Sequence, residues 1–294
     1  MNATKPKPPS PRITFLEGRG DLPMLEITTP WSTAEISLHG AQVTHFQRHN
    51  EPPLLFLSQC SRFAKDAPIR GGIPIIFPWF GKPAGQPGQH GFARIRNWAL
   101  KEIHAPADGP VSLRLALPPS PDLGDGKITV EYLVHVEATL TAELIVRNNS
   151  PHPFTFENCL HTYFSVGDIH AVSVAGLPGV HYLDQPTGFV PRTETDDVIR
   201  FSGEVDRIYL NTTHAVDIHD PALRRTIRVE KTGSDSTVVW NPWMAKAKAM
   251  PDFGDDEYLR MVCVESGNVA ENRLTLAPGE TSALKIKLSS AALK

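Results

Sequence analysis

The chain has 294 residues, of which 40 % are hydrophobic and 21 % are charged, and its formal net charge is −3. These proportions are typical of a globular protein with a buried core and argue against an intrinsically disordered chain. Nucleic acids and anionic membranes bind clustered Lys and Arg, so this charge predicts neither as a partner and favours a small-molecule substrate.

The N-terminal segment MNATKPKPPSPRITF has no apolar run of signal-peptide length, and no stretch approaches the roughly 20 apolar residues of a membrane helix. The three cysteines, an odd number lying far apart, do not form the pattern of a disulfide framework. We therefore expect a cytoplasmic protein. Residues 1–12 are rich in proline and have little to bury, which predicts a flexible arm before a folded domain over residues 13–294.

Three parts of the chain place apolar residues at every second position, as half-buried strands do. The first is residues 34–38, before Gly40, and the last is residues 284–288, after the turn-like segment APGE. The longest runs from residue 127 to residue 147 and exceeds the usual length of one strand. It predicts a hairpin that folds back near Glu137 to Thr139.

The fold class follows from what lies between these strands. Short apolar runs alternate with Pro and Gly, and no segment of helical period is long enough to connect parallel strands. No Ser/Gly linker or repeat divides the chain. We predict an all-β fold, a single-domain antiparallel sandwich of two packed sheets.

Two segments, ENCLHTYFSVG and MVCVESGNV, supply candidates for acid/base chemistry. A strand over residues 158–164 would place Cys159, His161 and Tyr163 on one face, and alternation also places Cys263 and Glu265 on one face. A His and a Glu would then converge from two strands. The alternative is a core histidine and a glutamate paired with a surface cation.

A metal site is a third interpretation, because these segments contain the ligand types that zinc uses. Structural zinc sites usually show closely paired ligands, and Cys159, His161, Cys263 and Glu265 do not form such pairs. We therefore predict no metal at these residues, and we expect the two cysteines to act as small buried hydrophobes.

Two glycine-containing segments, RGGIPIIFPWFG and QHGFARIRNW, carry arginines that predict an anion site. Arg70 precedes two glycines, and Arg94 and Arg96 follow another glycine, so backbone can approach a ligand closely. Guanidinium groups match phosphate oxygens in pairs, so the two segments could form a phosphate fork; rim salt bridges are the alternative. Aromatic side chains nearby would stack on a sugar or fill the core, namely Trp79, Phe80 and Trp98.

A fifth segment, GEVDRIY, contains Asp206 next to Arg207. Asp206 would accept a hydrogen bond from a sugar hydroxyl or pair with its neighbouring arginine.

Taken together and in this order, the segments PIRGGIPIIFPWFG, QHGFAR, LHTYF, GEVDRIY, WNPW and ESGNV resemble the aldose 1-epimerase (mutarotase) superfamily, in particular its glucose-6-phosphate 1-epimerase branch. The resemblance extends from Gly40 to the APGE turn, and its motifs are specific only as a set. It implies a galactose mutarotase-like β-supersandwich with an open cleft on one sheet and no cofactor.

The resemblance also implies the site residues. The catalytic pair of the family falls on His161 and Glu265, and its substrate-binding residues fall on the motif positions Arg70, Gln89, Arg94 and Asp206. Cys159 stands where a small residue is common, and Trp79 where a smaller or polar residue is common, so the pocket shape is expected to differ.

The implied reaction interconverts the α and β anomers of a hexose 6-phosphate. Glu265 as carboxylate would take a proton from the C1 hydroxyl, and His161 as imidazolium would protonate the ring oxygen. Two rival functions are a non-catalytic sugar-phosphate binding or regulatory module and an epimerase of free aldoses. We expect a monomer that binds a small hexose phosphate.

Overall fold

The computed structural model describes residues 10–293, and most of its regular structure is strand. The expected flexible arm, residues 1–12, lies outside the described residues up to residue 9, and the first strand begins at Arg12. The strands of the first half, in chain order, are β1 (Arg12–Glu17), β2 (Pro23–Thr28), β3 (Ser32–Ser37), β4 (Gln42–Arg48), β5 (Ile75–Ile76), β6 (Ala99–His104), β7 (Val111–Ala116), β8 (Ile128–Val136), β9 (Leu140–Asn148), β10 (Phe154–Phe156), β11 (Asn158–Leu160) and β12 (Tyr163–Ser165).

The second half adds eleven strands and one short α-helix among the described residues. These elements are β13 (Ser173–Ala175), β14 (His181–Asp184), β15 (Val190–Thr193), β16 (Val198–Arg200), β17 (Val205–Leu210), β18 (Val216–Asp220), β19 (Arg225–Thr232), β20 (Ser236–Asn241), α1 (Trp243–Ala249), β21 (Met261–Asn268), β22 (Leu274–Leu276) and β23 (Thr281–Ala292). Short 3-10 helices occupy Arg19–Asp21, Ala93–Ile95, Pro121–Leu123, Gln185–Thr187, Glu257–Arg260 and Ala270–Asn272.

Two large sheets dominate the structure. One has eight strands in the order β15-β14-β17-β20-β21-β11-β5, with β12 also paired to β21, and the other has nine in the order β16-β13-β18-β19-β23-β9-β8-β7-β6. A four-stranded sheet, β1 to β4, and the pair β10-β22 complete the fold. Every pair of neighbouring strands in these sheets is antiparallel, so the predicted all-β antiparallel class is confirmed.

The predicted hairpin is confirmed as β8 and β9. Its alternating residues face the core one by one, and the chain reverses between Val136 and Leu140. The alternation near the C-terminus forms part of β23, where Leu284, Ile286 and Leu288 are buried. These strands belong to the nine-stranded sheet, one face of which forms half of the core.

The core lies between the two large sheets, since a single cluster of buried residues includes Val239 and Val264 from one sheet and Tyr132 and Leu144 from the other. A smaller apolar cluster lies on the opposite face of the eight-stranded sheet and includes Cys159 and residues of β17, β20 and β5. No helix within residues 10–293 has both the length and the apolar character required to cross a membrane.

Candidate active site

One face of the eight-stranded sheet presents the predicted acid/base residues. Cys263 of β21 lies opposite Trp240 of β20 on one side and opposite Tyr163 of β12 on the other. Glu265 is two residues further along β21. Residues directly opposed in an antiparallel pair share a face, and so do positions two apart on one strand. The register therefore assembles these side chains on one face of the sheet, where Tyr163, Trp240 and Cys263 still belong to the main hydrophobic cluster.

His161 lies at an interruption in this sheet. The sequence predicted a single strand over residues 158–164, but β11 ends at Leu160 and β12 begins at Tyr163. At the break, the N–H of His161 still donates to the carbonyl oxygen of Pro74, the residue before β5, at 3.0 Å, whereas the N–H of Thr162 turns back to the carbonyl oxygen of Leu160 at 2.9 Å. The single-strand prediction was wrong at this point, although the expected convergence of the imidazole with Glu265 occurs.

The predicted pair is in direct contact, with Nε2 of His161 lying 3.2 Å from Oε1 of Glu265. Both side chains are buried, at 9 % and 1 % exposure. Burial and, to a lesser extent, the charge of Asp206 raise the pKa of Glu265 well above its ordinary value. Burial and, to a lesser extent, the charges of Arg94 and Arg70 lower the pKa of His161 well below its ordinary value. The site therefore favours a neutral pair over the charged pair expected from the sequence.

A second histidine of the site was missed by the sequence reasoning. The ring of His90 meets that of His161 edge to face, with centroids 5.7 Å apart. The N–H of Gly81 donates to Nδ1 of His90 at 3.1 Å, and the side-chain amide of Gln89 lies 3.1 Å from Nε2 of the same ring. Burial, followed by Arg94, lowers the pKa of His90 and favours the neutral form of the ring. Its place in the QHG segment was the only sequence signal.

Arg70 lies beside the pair and is held on several sides. Its Nε and Nη2 donate to Oδ2 of Asp252 at 3.1 and 3.0 Å, and its Nη1 donates to the hydroxyl oxygen of Tyr163 at 3.0 Å. The guanidinium retains 21 % exposure. The RGG segment thus places a fixed cation at the site, as predicted, but most of its donors already have protein partners.

Gln89 and Arg94 lie on the second predicted loop, at different depths. Gln89 is exposed, while Arg94 is buried and donates from Nη2 to the backbone oxygen of Gln89 at 2.8 Å. Nε of Arg94 has no hydrogen-bond partner among residues 10–293. Arg94 supports the loop from behind, and its charge acts on His161 and His90 from there.

Asp206 closes the opposite end of the site. It accepts hydrogen bonds from Nε2 of Gln185 and, at 3.4 Å, from Nζ of Lys246, which also donates to Glu204 at 2.8 Å. Burial raises the pKa of Asp206 to about 6, although Lys246 opposes the shift. Asp206 does not pair with Arg207, whose guanidinium binds Glu194. Gln185 and Lys246 were not identified from the sequence, because distant segments bring them here.

The aromatic residues divide between the site and the core. Of the three aromatics considered for sugar stacking, Phe80 lines the site, Trp79 lines a neighbouring groove and Trp98 is buried against Tyr132. Trp240, which was not considered, contributes the second aromatic wall.

These side chains surround a cavity of about 180 Å³. That is smaller than the pockets of drug-sized ligands, in keeping with a single sugar ring. The cavity is lined by Arg70, Phe80, Gly81, Gln89, His90, His161, Gln185, Asp206, Val238, Trp240, Lys246, Met250 and Glu265. Five of the six predicted site residues line it, and Arg94 does not. A larger groove of about 900 Å³ beside it, lined in part by Trp79 and Arg96, contains none of the six.

The metal interpretation is not favoured by the surroundings of its candidate ligands. Ligand atoms of His161, Cys263 and Glu265 lie within 4.8 Å of one another, close enough in principle to share an ion. Burial and the charge of Glu265 raise the pKa of the Cys263 thiol well above its ordinary value, while Arg70 acts in the opposite direction. The fixed positive charge of Arg70 beside these residues would repel a bound cation.

Known proteins resemble this chain over most of its length. A family model described as aldose 1-epimerase matches residues 23–289. A protein of Cenchrus ciliaris with the provisional name glucose-6-phosphate 1-epimerase is 40 % identical over 267 residues, covering 87 % of this chain and 80 % of that protein. One of Escherichia coli K12 with the same provisional name is 36 % identical over 256 residues, covering 86 % and 85 %.

The solved structures agree with these sequence relatives. The crystal structure of a provisionally named mutarotase from Salmonella typhimurium matches with a TM-score of 0.87 and 31 % identity, covering 99 % of this chain and 96 % of that chain. The fold predicted from the motifs, a galactose mutarotase-like β-supersandwich, is therefore confirmed. With a family match over most of its length and relatives well above 30 % identity, this chain belongs to the aldose 1-epimerase family.

Proposed function

We propose that this protein interconverts the α and β anomers of glucose 6-phosphate, with His161 and Glu265 as its acid/base pair. The single observation that carries the proposal is the 3.2 Å contact between these two buried groups at a sugar-sized cavity. The provisional names of the sequence relatives support the choice of substrate.

The reaction needs two proton transfers, one at each of the two oxygen atoms bonded to C1. A base removes the proton of the C1 hydroxyl while an acid protonates the ring oxygen, the ring opens, the C1–C2 bond rotates, and closure gives the other anomer. Both oxygens are bonded to C1, so an acid and a base that touch each other suit their spacing. General acid and base groups each typically contribute about 10²- to 10⁴-fold in rate.

One proton is shared by the pair, and the group that holds it acts as the acid while the other acts as the base. Burial favours this proton on Glu265, with His161 neutral. A bound phosphate dianion would oppose the charges of Arg70 and Arg94, which lower the pKa of His161. Binding of the charged substrate would therefore raise the pKa of His161 again and favour imidazolium and carboxylate in the complex.

Cations and hydrogen-bonding groups at the cavity support a phosphorylated sugar. Arg70 and Lys246 line it, and the charge of Arg94 lies behind the loop that bears Gln89. We assign the phosphate to the Arg70 side, and sugar hydroxyls to Gln89 and Asp206. Phe80 and Trp240 offer apolar faces to the ring.

Epimerisation of free aldoses is the second candidate, and one observation favours it. The donors of Arg70 already bind Asp252 and Tyr163, and Arg94 does not line the cavity, so fewer donors are free for a phosphate than the sequence implied. A coupled assay that consumes only one anomer separates the candidates. A kcat/KM for glucose 6-phosphate at least tenfold above that for glucose supports our proposal, and equal values support a general mutarotase. No activity on either would leave a non-catalytic binding module.

We further propose that the active species is a monomer in the cytoplasm that needs no cofactor, metal, nucleic acid or membrane. Proton transfer alone completes the proposed reaction. Sedimentation at the enzyme concentration of the assay tests the monomer, which a dimer at that concentration would contradict.

A further inference from the structure

The carboxyl group of Glu265 has a second close contact, with a residue that the proposed mechanism does not use. Sγ of Cys159 lies 3.5 Å from Oε2 of Glu265, within the range of a sulfur hydrogen bond. The other oxygen, Oε1, faces Nε2 of His161 at 3.2 Å. The carboxyl is thus held between a thiol on one side and the imidazole on the other.

The sheet provides the space for this thiol. Cys159 of β11 lies opposite Gly267 of β21. A side chain at position 267 would place its Cβ 2.8 Å from Cβ and 2.9 Å from Sγ of Cys159, closer than real contacts allow. The absence of a side chain on Gly267 therefore lets the thiol lie against the strand that carries Glu265.

We propose that Cys159 is a positioning residue for the epimerisation: its thiol donates a hydrogen bond to Oε2 of Glu265 and keeps Oε1 directed at His161. The inference rests on the proposed function, because it concerns the same carboxyl group. A carboxylate has no hydrogen to donate, so the S–H group is the donor whenever Glu265 acts as a base.

The protonation states agree with this direction. Burial, followed by Glu265, raises the pKa of Cys159 well above its ordinary value, so the thiol keeps its hydrogen at neutral pH. The hydrogen bond from the thiol lowers the pKa of Glu265, as the more distant charge of Arg94 does. Both act against burial and Asp206.

Other titratable groups also surround His161, Glu265 and Cys159. His161 contacts Glu265 from the break between β11 and β12, and Cys263 precedes it on the same strand. Tyr163 stacks on His161, and the charges of Lys231 and Glu157 act on Cys159. Of these groups, only Cys159 has a hydrogen bond to Oε2.

The test compares Cys159→Ala with Cys159→Ser, and uses Cys263→Ala as a control for truncating a buried cysteine that has no hydrogen bond to the carboxyl. Because S–H is a weak donor, we take its hydrogen bond to contribute about 0.5 to 1.5 kcal/mol, so in Cys159→Ala we expect kcat to fall about three- to tenfold at unchanged KM. The acid limb of its kcat–pH profile should move to higher pH. Serine, which retains a donor, should restore the wild-type profile, and Cys263→Ala should keep the wild-type midpoint.

An unchanged profile in Cys159→Ala, or equal effects of alanine and serine, would overturn the inference. If the alanine variant does not fold, the serine variant decides: its stronger donor must keep or lower the midpoint, and a raised midpoint overturns the proposal. The carboxyl stretching band of Glu265, assigned with Glu265→Gln, gives its titration without any activity. A wild type inactive on both sugars would refute the proposed function, while this titration would still test the hydrogen bond.

Discussion

The ring of Tyr163 lies flat against the imidazole of His161, with centroids 4.8 Å apart and planes inclined by 13°. Its hydroxyl oxygen accepts a hydrogen bond from Arg70, which Asp252 holds in turn. The stacking restricts rotation of the imidazole about its own axis and keeps Nε2 directed at Glu265. Arg70 thus has two effects on the acid/base pair, one through its charge and one through the ring that orients His161.

Replacing either member of the pair should abolish most of the turnover. We expect Glu265→Gln and His161→Ala each to lower kcat by at least about a hundredfold, because each removes one proton-transfer group. The double variant should cost far less than the product of the single effects, since the two groups act as a unit. Circular dichroism must show folded proteins, and near-normal turnover in either single variant would refute the assignment.

Substitution of Arg70 should act on phosphate recognition. A hydrogen bond to a charged group contributes about 1.5 to 3 kcal/mol, so Arg70→Ala should raise KM for glucose 6-phosphate about ten- to a hundredfold. KM for free glucose should change much less. Arg94→Ala should also raise KM for glucose 6-phosphate more than KM for glucose, but by a smaller factor, because Arg94 does not line the cavity.

The control for the arginines is Arg96→Ala, because Arg96 is half exposed and pairs with Asp122 outside the cavity. Its kinetic constants should match the wild type. Inorganic phosphate should compete with glucose 6-phosphate in the wild type and less well in Arg70→Ala. A phosphate preference retained in both Arg70→Ala and Arg94→Ala would assign these arginines to structural ion pairs.

Asp206 should make substrate binding sensitive to mildly acidic pH. Its pKa is raised to about 6, so it is a carboxylate above that pH and gains a proton below it, which weakens it as an acceptor for a sugar hydroxyl. We expect KM to rise as pH falls from about 7 to about 5. Asp206→Asn should have a raised KM that does not depend on pH in this way. Dividing the KM of the wild type by the KM of Asp206→Asn at each pH cancels the effect of ionisation of the substrate phosphate. A constant ratio would exclude Asp206 from binding.

Lys231 should make the stability depend on alkaline pH. Its ammonium donates to the backbone oxygen of Ser236 at 2.9 Å and to Oγ1 of Thr237 at 2.8 Å, and burial lowers its pKa from 10.5 to about 8. The unfolded chain therefore binds this proton more tightly than the native protein. Relative to Lys231→Met, the free energy of unfolding of the wild type should rise between about pH 8 and pH 10.5, by on the order of 2 kcal/mol.

The control for Lys231 is Lys287→Met, because Lys287 is exposed on β23. Its stability should follow that of the wild type across the whole pH range. Urea unfolding at each pH provides the measurement, and parallel curves for the wild type and Lys231→Met would show that burial of the ammonium carries no such cost.

Metal removal should leave the activity unchanged. Proton transfer between the acid/base pair and the sugar oxygens needs no Lewis acid. We expect chelators to have no effect on turnover and elemental analysis to find less than stoichiometric zinc. One zinc per chain, with activity lost on its removal, would favour a site at Cys159, His161 and Cys263.

The sequence predicted the strands best where one face is apolar throughout. The alternation in β8 and β9 gave the hairpin and its turn, because period two leaves one sheet face buried. It failed at His161, where a strand-like pattern continues through the break after Leu160. At the break the N–H of Thr162 donates to the carbonyl oxygen of Leu160, a tight local turn that the alternation of apolar residues does not reveal.

The site was predicted as far as motifs reach. His161 and Glu265 converge as expected, but Lys246 and Trp240 come from a segment noted only for its WNPW motif. Their position at the cavity depends on the order of strands in the sheet, which the periodicity of the sequence does not specify. The position of a motif also could not show that Arg94 lies behind the loop, or that burial favours a neutral His161 and a neutral Glu265 over the expected charged pair.

The alternation of faces along β21 also limits which changes in chain length the protein tolerates. Glu265 faces the cavity while its neighbour Val264 faces the core, and β21 is paired on both sides. Deleting one residue from β21 before Glu265 would exchange the two faces, burying a carboxyl in the core and opening the cavity to a valine. The exposed loop over residues 82–88 has no such register. Libraries that vary substrate preference by insertion should therefore lengthen that loop and leave the strands of the site intact.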